Sequence, residues 1–276
     1  MNDSLPPVVL HHGLFGTGDL QLGPWKFRYF RGIDRAIANL GHPLIVTNVH
    51  PSSSVERRAR QLKEVILRQL KVIGRDDGDT KVILIGHSLG GLDARYAVAK
   101  LGLADRVSAV VSVTAPHRGS PFADWAVENL GRRLRGFQLI SSLGLDFQAI
   151  VDLTTSRCAA FNQDVPDVPG VKYFSVAAAR DVRRIPPVFQ HSYRVIAARD
   201  GDNDGMVSVS SAKWGEHLAT WPADHWHTIN RRNPLNFNDS TGDIAPYWVR
   251  MIDQVMQRLN GSQLTGGAHV EHSSNR

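Results

Sequence analysis

The chain has 276 residues, 42% of them hydrophobic, enough to bury a large core in one α/β domain without subdivision. Its net charge of +6 is spread along the sequence rather than gathered into one run, which speaks against a nucleic-acid partner. A single cysteine, Cys158, excludes an intramolecular disulfide, and no apolar run approaches the length of a membrane span.

Pro7 to His11 is the first strand pattern. It begins almost at the initiator Met, with no basic region, apolar stretch or cleavage site ahead of it, so the expectation is a cytoplasmic protein or the mature form of a secreted one. Further strands are expected at Leu44 to Val49, Lys81 to Gly86, Val107 to Thr114, Val171 to Ala177 and Tyr193 to Ala198, with helical stretches between them. Such alternation implies parallel pairing and right-handed crossovers. The clearest helix is Val55 to Ile73, where Val55, Ala59, Leu62, Ile66, Leu70 and Ile73 recur at steps of four and three; Ser53 or Ser54 would cap it and Gly74 would end it. More than fifty residues separate Thr114 from Val171, too many for an ordinary connection. Within them Ala123 to Phe161 shows mixed helical patterning, and a cap over about 121–165 is expected, the competing reading being that its apolar residues pack on the sheet. Arg132, Arg133 and Arg135 in that stretch read as a solvated helix face, or as a contact with anionic lipid. A single domain over 1–260 with this insertion leaves 261–276 as a flexible tail, whose His269 and His272 are exposed passengers.

The most informative run is Val82 to Gly91, in which an apolar strand passes straight into Gly86-His87-Ser88-Leu89-Gly90 and then into a helical pattern, Leu89 to Lys100. This is the layout of a nucleophile elbow, with glycines where a side chain would collide with the neighbouring strand or helix. The competing reading is a small residue in a glycine turn of an ordinary doubly wound sheet. A serine hydroxyl at neutral pH needs an imidazole to take its proton and a carboxylate to fix the imidazole's tautomer. In the order expected downstream of Ser88, acid before histidine, the loop Arg199 to Val207 offers Asp200, Asp202 and Asp204. Asp204, beside Met206 and Val207, is best placed to be fixed and dry, whereas the other two would solvate the loop; a calcium loop is disfavoured because the distal glutamate is missing. Of the twelve histidines, His217, His225 and His227 lie between Asp204 and the tail. His225, with Trp226 to shield it, is assigned as general base, and His227 stays open as an alternative. The oxyanion donors are assigned to the backbone N–H groups of Leu89 and, in the glycine loop His11 to Gly18, of Leu14, with Phe15 the near alternative. That loop lacks the Lys-Ser or Lys-Thr ending of a phosphate cradle.

These residues resemble the bacterial true lipases of the Pseudomonas and Burkholderia type. The likeness is carried by His12 to Gly16, by Gly86 to Gly91, by Thr114-Ala115-Pro116-His117-Arg118-Gly119-Ser120, by Leu153 to Ser156 with Phe161 to Gln163, by Asn203 to Val207, and by His225 with Ile229-Asn230. The resemblance implies an α/β-hydrolase fold, with a mostly parallel central sheet flanked by helices and a mobile helical lid after Pro121. It also implies a carboxylic ester hydrolase acting on acylglycerols at a lipid–water interface, with Ser88, Asp204 and His225 as triad and Leu14 and Leu89 as oxyanion donors. No cofactor is expected. Members of this family commonly hold a structural calcium through paired aspartates, one of them two positions after the catalytic histidine; that position here is His227, and no metal ligand is assigned. They also often carry a disulfide and a longer insertion before the acid, both absent here, which keeps a soluble short-chain carboxylesterase as runner-up. Acyl transfer to an acceptor other than water, and a non-catalytic binding protein on the same scaffold, are the remaining alternatives.

Overall fold

Val82, Ile83, Leu84 and Ile85 are all fully buried, because their strand lies between two layers of helices and offers an apolar side chain to each. The computed structural model describes residues 5–14, 16, 19–22, 25–131, 148–231 and 242–266. In chain order these form β1 (Val8–His11), a two-stranded antiparallel hairpin of β2 (Asp19–Leu22) and β3 (Trp25–Arg28), α1 (Ile33–Ala38), β4 (Leu44–Val46), α2 (Val55–Val72), β5 (Val82–His87), α3 (Leu89–Lys100) and β6 (Val107–Val113). Then come α4 (Pro121–Gly131), α5 (Gln148–Asp152), α6 (Thr155–Asp164), β7 (Lys172–Ala178), α7 (Gln190–Asp200), α8 (Val209–Ala212), β8 (Glu216–Trp221) and α9 (Ala245–Gly266).

The main sheet has the order β4-β1-β5-β6-β7-β8, and every neighbouring pair is parallel. The chain leaves β1 for β4 on one side and returns to β5 on the other, so the strand order reverses between β1 and β5. Open parallel sheets bind ligands outside the carboxyl ends of their strands at such a reversal. The glycine loop follows β1 there and Ser88 follows β5.

Strand alternation divides the core in two. Val8, Leu10, Ile83 and Ile85 pack with Ile33 and Ile37 of α1 and with Trp248, Met251, Ile252 and Val255 of α9. Val9, Val82 and Leu84 face the other way, against Ala59, Leu62, Ile66 and Leu70 of α2 and Ala94, Ala97 and Val98 of α3. α2 ends as its sequence predicts. Gly74 takes φ +70°, and the N–H groups of Gly74 and Arg75 reach back to the carbonyls of Lys71 (3.2 Å) and Leu70 (2.8 Å), a Schellman closure. At the other end the Ser54 side chain faces the Arg57 N–H.

Two expectations need correcting. Tyr193 to Ala198, expected as a strand, lies inside helix α7. The reason is its one-sided burial: Phe189, Ser192 and Ile196 are buried at steps of three and four while their neighbours are more exposed, and His191 packs edge-on against Trp125 of α4 at 4.5 Å. The strand that completes the sheet is β8, at Glu216–Trp221, where none was expected. At the chain's end, α9 continues six residues beyond Asn260, to Gly266. Phe15, Thr17, Gly18, residues 132–147, with the arginines at 132, 133 and 135 among them, and the tail from 267, with His269 and His272, lie outside the described residues.

Candidate active site

Ser88 sits between β5 and α3 with φ 55° and ψ −130°, a conformation costly for a side-chain-bearing residue and retained only where the surroundings enforce it. The enforcement comes from close packing at the flanking glycines. A Cβ on Gly86 would run into the Gly90 carbonyl, and one on Gly90 would lie 2.8 Å from the His11 carbonyl oxygen. The turn therefore holds the serine, 7% exposed, at the strand's carboxyl end and starts α3 with the Leu89 N–H, which has no acceptor within the helix.

His225 faces Ser88 across this edge. Its Nε2 is 3.1 Å from the Ser88 Oγ and its Nδ1 is 2.7 Å from Oδ2 of Asp204. A carboxylate only accepts, so Nδ1 carries the proton and Nε2 is left with a lone pair for the serine hydroxyl. Asp204 is fully buried, and its other oxygen accepts the backbone N–H groups of Met206 (2.8 Å) and Val207 (2.7 Å). Residues 88, 204 and 225, distant in sequence, are thus brought together. The alternatives go elsewhere: Asp200 accepts the Ser208 hydroxyl at 2.9 Å, His217 on β8 bonds Thr220 at 3.1 Å, and His227 bonds the Gly242 carbonyl at 2.8 Å. Trp226 packs edge-on against Phe189 with ring centroids 4.7 Å apart.

The glycine loop lies against the elbow. A Cβ on Gly13 would be 2.7 Å from the Ser88 Cβ, so this approach requires glycine. Leu14 follows at once. Three contacts fix the loop: Arg58 donates from Nη2 to the His12 carbonyl at 2.6 Å, Val49 N–H donates to His12 Nε2 at 3.2 Å, and Gly13 N–H donates to the Tyr29 hydroxyl at 3.2 Å. Behind them, Arg58 Nε meets Asp93 at 2.8 Å, and Asp93 also meets His11 Nε2 at 2.9 Å.

Several supporting residues escaped the sequence reading. His87 bonds the Tyr29 hydroxyl (2.9 Å) and Thr228 (2.8 Å), while the Thr228 hydroxyl donates to the His225 carbonyl (2.7 Å). Tyr29, His87 and Thr228 thereby link glycine loop, elbow and histidine loop. Burial holds His87 well below the usual imidazole range, with the nearby His225 and His12 adding to the effect. Burial likewise pushes the Tyr29 hydroxyl up to about 12, so it stays a neutral hydrogen-bonding group. The available sequence signal was a charge inside an apolar stripe: Arg58 falls between Val55 and Ala59 on α2, and Asp93 between Leu92 and Ala94 on α3.

Comparison with known proteins agrees with this architecture. The family model for the alpha/beta hydrolase fold matches residues 6–161. Triacylglycerol lipase 2 of Saccharomyces cerevisiae is 32% identical over 250 residues, covering 84% of this chain and 74% of its own. The triacylglycerol lipase of Pseudomonas fragi is 29% identical over 276 residues, covering 83% of this chain and 90% of its own. Among solved structures, Staphylococcus hyicus lipase superposes with a TM-score of 0.71 at 17% identity, covering 93% of this chain and 96% of that one, a likeness of fold. The chain belongs to the α/β-hydrolase-fold family and to the group of lipases within it.

Proposed function

We propose that this protein hydrolyses carboxylic esters, triacylglycerols foremost, through an acyl-enzyme on Ser88. The observation that carries the reading is His225 lying between the Ser88 hydroxyl and the buried Asp204 carboxylate, within hydrogen-bond reach of both. His225 takes the serine proton as Ser88 attacks the ester carbonyl and returns it to the departing alcohol; a water then repeats the sequence to release the acid. Asp204 keeps the imidazole in the tautomer that can accept. The N–H groups of Leu14 and Leu89 stabilise the oxyanion, each contributing about 3 to 4 kcal/mol to the transition state. Every transfer in this cycle is made by these side chains, two amides and water, without a cofactor.

The acylglycerol substrate is supported by the two triacylglycerol lipases to which most of the chain is similar. In this reading the helices within 121–131 and 148–165 form a cap on one domain. Its helices α4 and α6 are joined through Asp124, which accepts the Thr155 N–H and hydroxyl, both at 2.8 Å, and also pairs with Arg199 of α7 at 2.9 Å. Among the described residues no helix is long and apolar enough to cross a membrane. The test is a pair of rates, on a soluble p-nitrophenyl butyrate and on an emulsified long-chain triacylglycerol. A lipase turns over the emulsion with a rate that rises with interfacial area; turnover of the soluble ester alone would make it a carboxylesterase.

A further inference from the structure

The histidine loop has a second fastening besides Asp204. Asp224, 3% exposed, immediately precedes His225. Its Oδ2 accepts Arg180 Nη1 at 2.6 Å, and its Oδ1 accepts the backbone N–H groups of Trp226 and His227, both at 3.0 Å. Arg180 stands two residues beyond β7, and its own backbone N–H donates to the Asn203 carbonyl at 3.2 Å, next to Asp204. One residue therefore grips the histidine loop with its guanidinium and the acid loop with its main chain.

The calcium that the lipase resemblance implies would need carboxylate and carbonyl oxygens converging on one centre. Two positions after His225 stands an imidazole whose Nε2–H donates to the Gly242 carbonyl. The neighbouring carboxylate is already paired with a guanidinium, whose fixed charge repels a second cation. Among the described residues no group of three or more His, Cys, Asp or Glu is arranged to hold a metal ion. These residues do not fit a calcium ion.

We infer that Arg180 acts as a built-in cation: clamped on Asp224 and tied to the acid loop, it holds His225 in line with Ser88 and Asp204 without a metal. Arg180 and Asp224 touch no reacting atom and are positioning residues. Burial raises the Asp224 carboxyl above its ordinary range, and the His227 N–H and Arg180 offset this only in part.

The inference rests on His225 as the base, and the experiment separates the two. The full chain is assayed in EDTA and in millimolar calcium chloride for thermal midpoint, for kcat and KM on p-nitrophenyl butyrate, and for the rate at which a fluorophosphonate labels Ser88. The unaltered protein should give the same midpoint and kcat in both media. Arg180→Met should lower kcat and labelling rate by about tenfold or more, as a displaced catalytic group does, with KM nearly constant and no rescue by calcium. Arg180→Lys, which returns a cation to Asp224, should recover most of the loss. A midpoint or kcat that falls in EDTA and returns with calcium would overturn the inference, as would full kcat in Arg180→Met. If that variant does not fold, Asp224→Asn, which keeps the shape and removes the charge, serves in its place: reduced kcat supports the inference and full kcat overturns it. An unaltered protein that is not labelled at Ser88 defeats the base assignment instead.

Discussion

Asp204 holds His225 twice: its carbonyl accepts the His225 backbone N–H at 2.9 Å and its carboxylate faces the His225 Nδ1 at 2.7 Å. The main-chain bond places the loop and the side-chain bond sets the tautomer. Asp204→Asn keeps the first and spoils the second. We therefore expect kcat on a p-nitrophenyl ester to fall by roughly ten-thousandfold with an unchanged thermal midpoint. Asp200→Asn and Asp202→Asn, whose side chains lie outside the proposed triad, should stay within about twofold of the unaltered rate; a large loss at Asp202 would displace the acid assignment.

Gly13 brings the glycine loop tightly against the elbow. In Gly13→Ala the new methyl would be 2.7 Å from the Ser88 Cβ and 2.9 Å from the His87 carbonyl oxygen. The loop must shift, and the Leu14 N–H moves with it. The expected result is a loss of about 10² to 10³ in kcat, the value of one oxyanion donor, with far-ultraviolet circular dichroism unchanged. Turnover equal to that of the unaltered protein would place the donor elsewhere.

Arg58 and Asp93 are both fully buried and paired at 2.8 Å. Arg58→Met leaves the Asp93 charge with one partner fewer inside the core and removes the donor to the His12 carbonyl. Urea denaturation should show a loss of about 3 to 5 kcal/mol. Adding Asp93→Asn should return part of it, since the two changes share one interaction; simple additivity would deny the coupling.

Acid should destabilise the fold through its histidines. Burial is the leading cause that lowers His11, His12, His87 and His117 below their ordinary 6.5. The unfolded chain takes up these protons before the folded one does. Stability is therefore fully present above about pH 6.5 and is lost below it, at about 1.4 kcal/mol per pH unit for each histidine that stays neutral. Thermal midpoints between pH 8 and 5 should fall on the acid side of 6.5, and His87→Gln should flatten that fall; a flat profile in the unaltered protein would contradict it.

Ser88, Asp204 and His225, which the structure brings together, and the glycine loop beside them each carry a local pattern in the sequence: a glycine-flanked turn, a carboxylate beside apolar residues, a histidine beside a tryptophan. The strands of the central sheet were legible as continuous apolar runs because both of their faces are covered. β8 was missed for the opposite reason. Glu216, His217, Leu218, Ala219 and Thr220 are all exposed or half-buried at the sheet's edge, and only Trp221 is buried, so neither alternation nor an apolar run marks the strand. Tyr193 to Ala198 misled through its β-branched and aromatic content, where the spacing of Phe189, Ser192 and Ile196 already favoured a helix. The chain Tyr29, His87, Thr228 and the Arg180–Asp224 pair are contacts between residues far apart in sequence, which no local pattern encodes.

The proposed cycle turns on the Ser88 hydroxyl as nucleophile. Its most direct measurement is hydrolysis of p-nitrophenyl butyrate by Ser88→Ala, with circular dichroism and thermal midpoint followed on the same sample. We expect a folded protein with turnover reduced by about 10⁶ relative to the unaltered chain. A folded Ser88→Ala protein that still cleaves the ester at a rate near that of the unaltered chain would contradict it.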